Sequence, residues 1–258
     1  MSASAGRGLG ALIAALVLAI AALGLVAGCG DDGSESGGTT GSDPVIVLAA
    51  ASLTDVLPEI DPGAEYGFAG SDALATQIRE GAPADVYAAA DERLSTEFFE
   101  EGLVEEPVTF ATNRLVIIVP AGNPEGIRSV DDLRRDGTVV VMADEGVPVG
   151  DYTREVLASL GASSLVERAA SQEDDVRAVA GKVALREADA GFAYATDAAA
   201  VADDVEAVPI PAAAQPPIRY GIAVVADSGR REAAQAFIDR VRSPEGQAAL
   251  EAAGFGVP

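Results

Sequence analysis

The chain has 258 residues, of which 41 are Asp or Glu and 17 are Lys or Arg, giving a formal net charge of −24 with no histidine and one cysteine. So acidic a surface repels nucleic acid and anionic lipid headgroups and speaks against both as partners. A single cysteine excludes an intramolecular disulfide, and the missing histidine removes the commonest general base and metal ligand.

Residues 1–28 read as an export signal: Arg7 supplies the positive start, and ALIAALVLAIAALGLV is an apolar core of 16 residues, short for a full membrane span. Small residues follow, and VAGC at 26–29 reads as a bacterial lipobox in which Cys29 is diacylated and becomes the new N-terminus; a lone transmembrane anchor is the alternative. The stretch 29–43 is rich in Gly, Ser, Thr and Asp without apolar periodicity, which predicts a flexible tether. Loss of residues 1–28 removes only Arg7 and leaves 16 basic against 41 acidic side chains.

From residue 44 onward, apolar runs alternate with helical patterns. The runs are VIVLAA (45–50), DVYAAA (85–90), RLVIIVP (114–120), TVVVMA (138–143), AGFAYA (190–195) and YGIAVVA (220–226). This alternation predicts an α/β fold of two small domains whose mixed, mostly parallel sheets carry helices on both faces. The turn-forming AGNPEG after RLVIIVP suggests a crossover there, and QPPIRYGIAVV a return. Domain I is then expected over 44–118 and 219–258, and domain II over 119–218, with two C-terminal helical segments broken at Ser243-Pro244.

Two serine-bearing turns and three later segments read as helix starts or strand ends that can carry hydrogen-bond donors. Ser52 follows the first strand-like run and precedes apolar residues at helical spacing, and Ser71 in FAGSDALATQI does the same; each can serve as a helix N-cap. The first turn of a helix carries unpaired N–H groups and the positive end of the macrodipole, so two such ends facing each other also make an uncharged anion site. Around Val149, PVGDYTREVLASLG reads as a helix start with Pro148 early and Gly161 at its end. Val176 opens another helical pattern after Glu173, Asp174 and Asp175, acids that either stabilise that helix start or occupy the place an anion would take. Tyr194 ends a short strand, and its phenol can donate to an oxyanion or to a carbonyl.

With the stretch GAPADVYAAAD at 81–91, these segments resemble the molybdate-binding proteins of ABC transporters, in the type II periplasmic-binding-protein superfamily, from about residue 44 to the C-terminus. The resemblance implies a discontinuous first domain, a ligand cleft between domains and no enzymatic activity. It implies molybdate or tungstate as ligand, with no cofactor and no cation-binding metal site. The ligand set it implies is the hydroxyls of Ser52 and Ser71, the main-chain amides of Val149 and Val176, and Tyr194. The partners it implies are a permease dimer driven by a cytoplasmic ATPase; with the lipobox reading, a monomeric protein is expected at the outer face of the bacterial cell membrane, held through Cys29. Two departures from the pattern are Asp72, where many relatives carry a small hydroxyl residue, and a shorter segment between Ser52 and Ser71 that includes Pro58 and Pro62.

Other ligands and chemistries fit less well. Sulfate or phosphate is the alternative tetrahedral oxyanion. A hydrolase would have no histidine, no GxSxG elbow and only Lys182 for serine–lysine chemistry, and ferric iron would find no adjacent tyrosine pair. Ca²⁺ at Glu173 to Asp175 competes with a plain solvated helix start.

Overall fold

A computed structural model describes residues 43–258; the expected export signal, Cys29 and the tether before residue 43 lie outside the described residues. Two five-stranded sheets organise the chain. The first contains β1 (Ile46–Ala50), β2 (Glu65–Ala69), β3 (Val86–Ala89), β4 (Val108–Asn113) and β10 (Ile218–Val224), in the order β2-β1-β3-β10-β4. The second contains β5 (Leu115–Pro120), β6 (Val140–Ala143), β7 (Ser171–Glu173), β8 (Ala190–Tyr194) and β9 (Val205–Pro209), in the order β7-β6-β8-β5-β9.

Each sheet is covered by helices. In the first lobe α2 (Ser71–Arg79) and α3 (Glu92–Glu100) contact the sheet, as does α8 (Arg231–Arg242), which packs with α1 (Val56–Ile60) and α9 (Pro244–Ala252). The period-2 alternation of β1 shows why both faces need cover: Val47 and Ala49 belong to one buried cluster with Phe237 and Ile238, and Leu48 to another with Leu74, Ile78 and Phe98. In the second lobe α4 (Pro148–Ser159) and α6 (Val176–Ala184) each pack on β5, β6 and β8, joined by the short α5 (Ser164–Glu167) and α7 (Ala195–Ala200). Gly191 lets α6 lie close, because a Cβ there would sit 2.8 Å from a Val179 methyl.

Two expectations change. The sheets are mixed but not mostly parallel: four strand pairings are parallel and four antiparallel among the described residues. All four antiparallel pairings involve β5 or β10, the strands adjoining the two crossings between sheets. The boundary expected at residue 118 is also too late. RLVIIVP lies in the second sheet, where Leu115 to Ile118 pair with β8, so the chain crosses at Arg114, between β4 and β5. AGNPEG is a turn inside the second lobe. The return falls between β9 and β10, and the last residues tie back through a bridge from Gly256 to Thr112.

Candidate functional site

Strand ends and helix starts from both lobes meet at one small cavity of about 10 Å³. Ser52, Ser71, Val149, Val176 and Tyr194 all line it. No Lys or Arg does.

The two serines sit differently from the N-caps expected of them. Ser52 lies in a 3₁₀ turn, Ala51–Leu53, and Ser71 is the first residue of α2; Ala50 and Gly70 hold the cap positions, and neither turn has a side-chain cap bond. Ser71 lies one residue and Ser52 two residues past the cap position, neither hydroxyl folds back over the first amides, and both residues line the cavity. Ser52 Oγ lies 3.0 Å from the Tyr220 hydroxyl, and Ser71 Oγ accepts from the Ala90 N–H at 3.1 Å. Both serines are buried, at 4% and 1% exposure.

The second lobe brings main-chain donors. Pro148 opens α4, so Val149 is its second residue, and Val176 is the first residue of α6. Amides at these positions have no acceptor within their own helix. Gly150 allows α4 to start against the end of β6, since a Cβ there would meet the Asp144 carbonyl at 2.1 Å. Asp175 also lines the cavity, but its carboxylate turns back to accept from the Ala178 N–H at 2.9 Å, capping α6. That engages the acid placed nearest an incoming anion and leaves the first amide of α6 free.

Tyr194 ends β8 and is 1% exposed, yet its hydroxyl oxygen has no hydrogen-bond partner among the described residues. Burial, with Tyr220 and Tyr152 nearby, pushes its phenol well above the ordinary tyrosine range, so the proton stays on as a donor. A buried unpaired hydroxyl costs stability, and a ligand acceptor would remove that cost.

Asp72 is not among the residues lining the cavity. It is half-buried and its carboxyl is raised, first by burial and then by Asp151 and Asp174, while the amides of Asp72 and Ala73 pull it down. Its Oδ1 is buried without a partner. Two of the acids before α6 are engaged within the protein: Glu173 pairs with Lys182 at 2.6 Å, and Asp175 is the cap. Ser171 does lie 3.0 Å from Lys182, and the same lysine pairs with Glu173 at 2.6 Å.

Several contributors carry no distinct motif in the sequence. Gly70 and Ala90 line the cavity beside Ser71. Tyr220 and Asn113 stand behind Ser52, and only their places at strand ends near the crossings would have marked them. Arg177 joins the lobes, pairing with Asp55 of the first at 2.5 Å and with the fully buried Asp197 of the second at 2.9 Å, the latter out of line for a hydrogen bond. Arg93 makes a second bridge to Glu155 at 2.8 Å and lies 5.1 Å from the Tyr152 ring centre.

Comparisons with known proteins agree with this architecture. A family model described as a bacterial extracellular solute-binding protein matches residues 47–256. A molybdate-binding protein, ModA, of Mycobacterium tuberculosis is 38% identical over 256 residues, covering 94% of this chain and 97% of the relative. A Bacillus subtilis protein named as a putative ABC transporter substrate-binding lipoprotein, YvgL, is 30% identical and covers 93% of this chain and 96% of its own length. Among solved structures, the periplasmic molybdate-binding protein of Azotobacter vinelandii shares the fold with a TM-score of 0.71 at 21% identity, covering 83% of this chain and 99% of that one. With the family model spanning both lobes and the cleft between them, the chain belongs to the bacterial extracellular solute-binding proteins, which bind a solute and are not enzymes.

Proposed function

We propose that this protein captures molybdate, and tungstate as its near-isosteric analogue, in the cleft between its lobes and delivers it to an ABC importer. The observation that carries this reading is the unpartnered hydroxyl of buried Tyr194 in a cavity with two serine hydroxyls, two helix-start amides and no basic side chain. Neutral donors suit an acceptor-only dianion. Each hydrogen bond to a charged group contributes about 1.5 to 3 kcal/mol, so five donors together can offset the desolvation of a small oxyanion. The molybdate-binding relative at 38% identity favours molybdate over other tetrahedral anions.

The donors come from Ser52, Ser71, Val149, Val176 and Tyr194, drawn from both lobes. Full coordination therefore requires the lobes to close about the crossings near Arg114 and before Ile218, and closure is the form a permease would recognise. The permease partner is a dimer driven by a cytoplasmic ATPase. The protein works as a monomer held at the outer face of the bacterial membrane by a lipid on Cys29, after removal of residues 1–28; the relative named as a lipoprotein supports that anchor. No cofactor takes part.

Isothermal titration with molybdate, tungstate, sulfate and phosphate at fixed salt tests the reading. One-to-one binding of the first two, with sulfate and phosphate at least about a hundredfold weaker, is expected. Preferential binding of sulfate or phosphate would reassign the ligand, and silence from the folded protein for all four would end the oxyanion reading.

A further inference from the structure

Behind Ser52 stands a chain of hydrogen bonds whose direction is set at its far end. The Arg114 N–H donates to Asn113 Oδ1 at 2.9 Å, which fixes the amide so that Nδ2 faces the other way. That Nδ2 donates to Thr196 Oγ1 at 2.9 Å and to the Tyr220 hydroxyl at 3.3 Å. The Tyr220 oxygen accepts a hydrogen bond from Asn113 and so directs its own proton to Ser52 Oγ, 3.0 Å away. Ser52 in turn accepts from Tyr220 and has its own proton left for the cavity. Ser71 is arranged alike by the Ala90 N–H. Tyr220 is fully buried and does not line the cavity, and burial keeps its phenol protonated.

We propose that Asn113 and Tyr220 are positioning residues that hold the Ser52 hydroxyl as a donor toward the ligand. This rests on the oxyanion reading above and goes beyond it. Asn113 also links the lobes through Thr196, so that role must be separated from the polarity of the relay.

The test is titration of the full chain in detergent, and of its variants, with molybdate at fixed pH and salt. Tyr220→Phe breaks the relay and should weaken molybdate about three- to tenfold. Asn113→Asp keeps the shape but reverses the relay: the new carboxylate draws the Tyr220 proton, Tyr220 then draws the Ser52 proton, and molybdate binding should fall at least about tenfold. In the double variant Asn113→Asp with Tyr220→Phe the reversal has no carrier, so affinity should recover to about that of Tyr220→Phe alone. Thr196→Val, which cuts only the link between lobes, should stay within about twofold of the unaltered protein.

Equal weakness of the single and double Asn113→Asp variants would mean that the added charge repels the ligand, and would overturn the relay. A loss in Thr196→Val matching that of Asn113→Asp would assign Asn113 to the hinge and overturn the relay as well. Molybdate binding that neither Tyr220→Phe nor Asn113→Asp changes would sink the relay while leaving the oxyanion reading intact. Silence from the folded, unaltered chain toward every oxyanion would remove both. Should Asn113→Asp fail to fold, a loss of molybdate affinity of about three- to tenfold in Tyr220→Phe would support the relay and an affinity within about twofold of the unaltered protein would overturn it.

Discussion

Tyr194 and Ser71 present their hydroxyls to the cavity at opposite extremes of satisfaction: Tyr194 has no partner, and Ser71 accepts from Ala90 but has its proton to give. Both should therefore act as ligand donors of similar strength, and Tyr194→Phe or Ser71→Ala should each weaken molybdate binding by about 1 to 3 kcal/mol. Their effects on the ligand-free protein should differ. Removing the unpaired Tyr194 oxygen should leave the unfolding midpoint unchanged or raised, whereas Ser71→Ala strips a partner from the buried Ala90 amide and should lower stability by about 1 kcal/mol. Titration calorimetry with denaturant melts checks both halves, and unchanged affinity in both variants would show that the ligand sits elsewhere. Asp197 makes a second residue-scale prediction. Burial pushes its carboxyl up to about 7 against the pull of Arg177, so the native state holds a proton that the unfolded chain, near the ordinary value of 3.8, gives up. Stability from this group is greatest below about pH 4 and falls as pH rises to about 7, by roughly 1 to 4 kcal/mol. Asp197→Asn should flatten the stability profile between about pH 4 and 7; a profile unchanged by the substitution would mean that Asp197 is ionised throughout.

Elements place these residues, and closure between elements is limited by a glycine. A Cβ on Gly70, ahead of α2 in the first lobe, would lie 2.5 Å from the Asp174 carbonyl oxygen, just before α6 in the second. The Gly70 backbone, at φ −56 and ψ 138, suits any residue. Gly70→Ala should thus leave the separate lobes as stable as before, or gain up to about 1 kcal/mol from a stiffer unfolded chain, while weakening ligand binding at least about tenfold by holding the lobes apart. Small-angle scattering that shows normal compaction on adding molybdate would refute this. The same contact explains what the sequence can and cannot convey. The apolar runs that form β1, β3, β5, β6, β8 and β10 are legible because burial on both faces demands continuous hydrophobic residues. Strands β2, β7 and β9 are hidden because EYGFA, SQE and VEAVP carry acids, a glycine or a proline and are edge strands or less buried. VTFATN of β4 is hidden because its apolar alternation is short. The five cavity residues are reached through family resemblance joined to strand–turn–helix patterns. Their supporting contacts, Tyr220 to Ser52 and Gly70 to Asp174, join residues 168 and 104 positions apart, a separation that no local pattern records.

At the scale of the whole molecule, a chain with a formal net charge of −24 must admit an anion. Within the cavity the first amides of α2, α4 and α6 supply a positive potential, but a helix end acts over about one turn. Farther out, the acidic surface dominates and raises a barrier that a dianion meets before it reaches the cleft. Salt screens that barrier, with a Debye length near 30 Å at about 0.01 M and about 8 Å at 0.15 M. The association rate for molybdate should therefore rise with ionic strength, by about two- to tenfold over that interval, opposite to the usual behaviour of a steered charged ligand. Dissociation answers to different contacts: the bridges from Arg177 to Asp55 and from Arg93 to Glu155 are partly exposed, so salt weakens the closed form and speeds release. Stopped-flow mixing separates the two effects, read by tyrosine emission because the chain has no tryptophan and five tyrosines. Potassium chloride is the suitable salt, since sulfate would compete for the site. An association rate that falls as salt rises would mean that the potential of the converging helix starts reaches past the cleft mouth, and that the acidic surface does not govern capture.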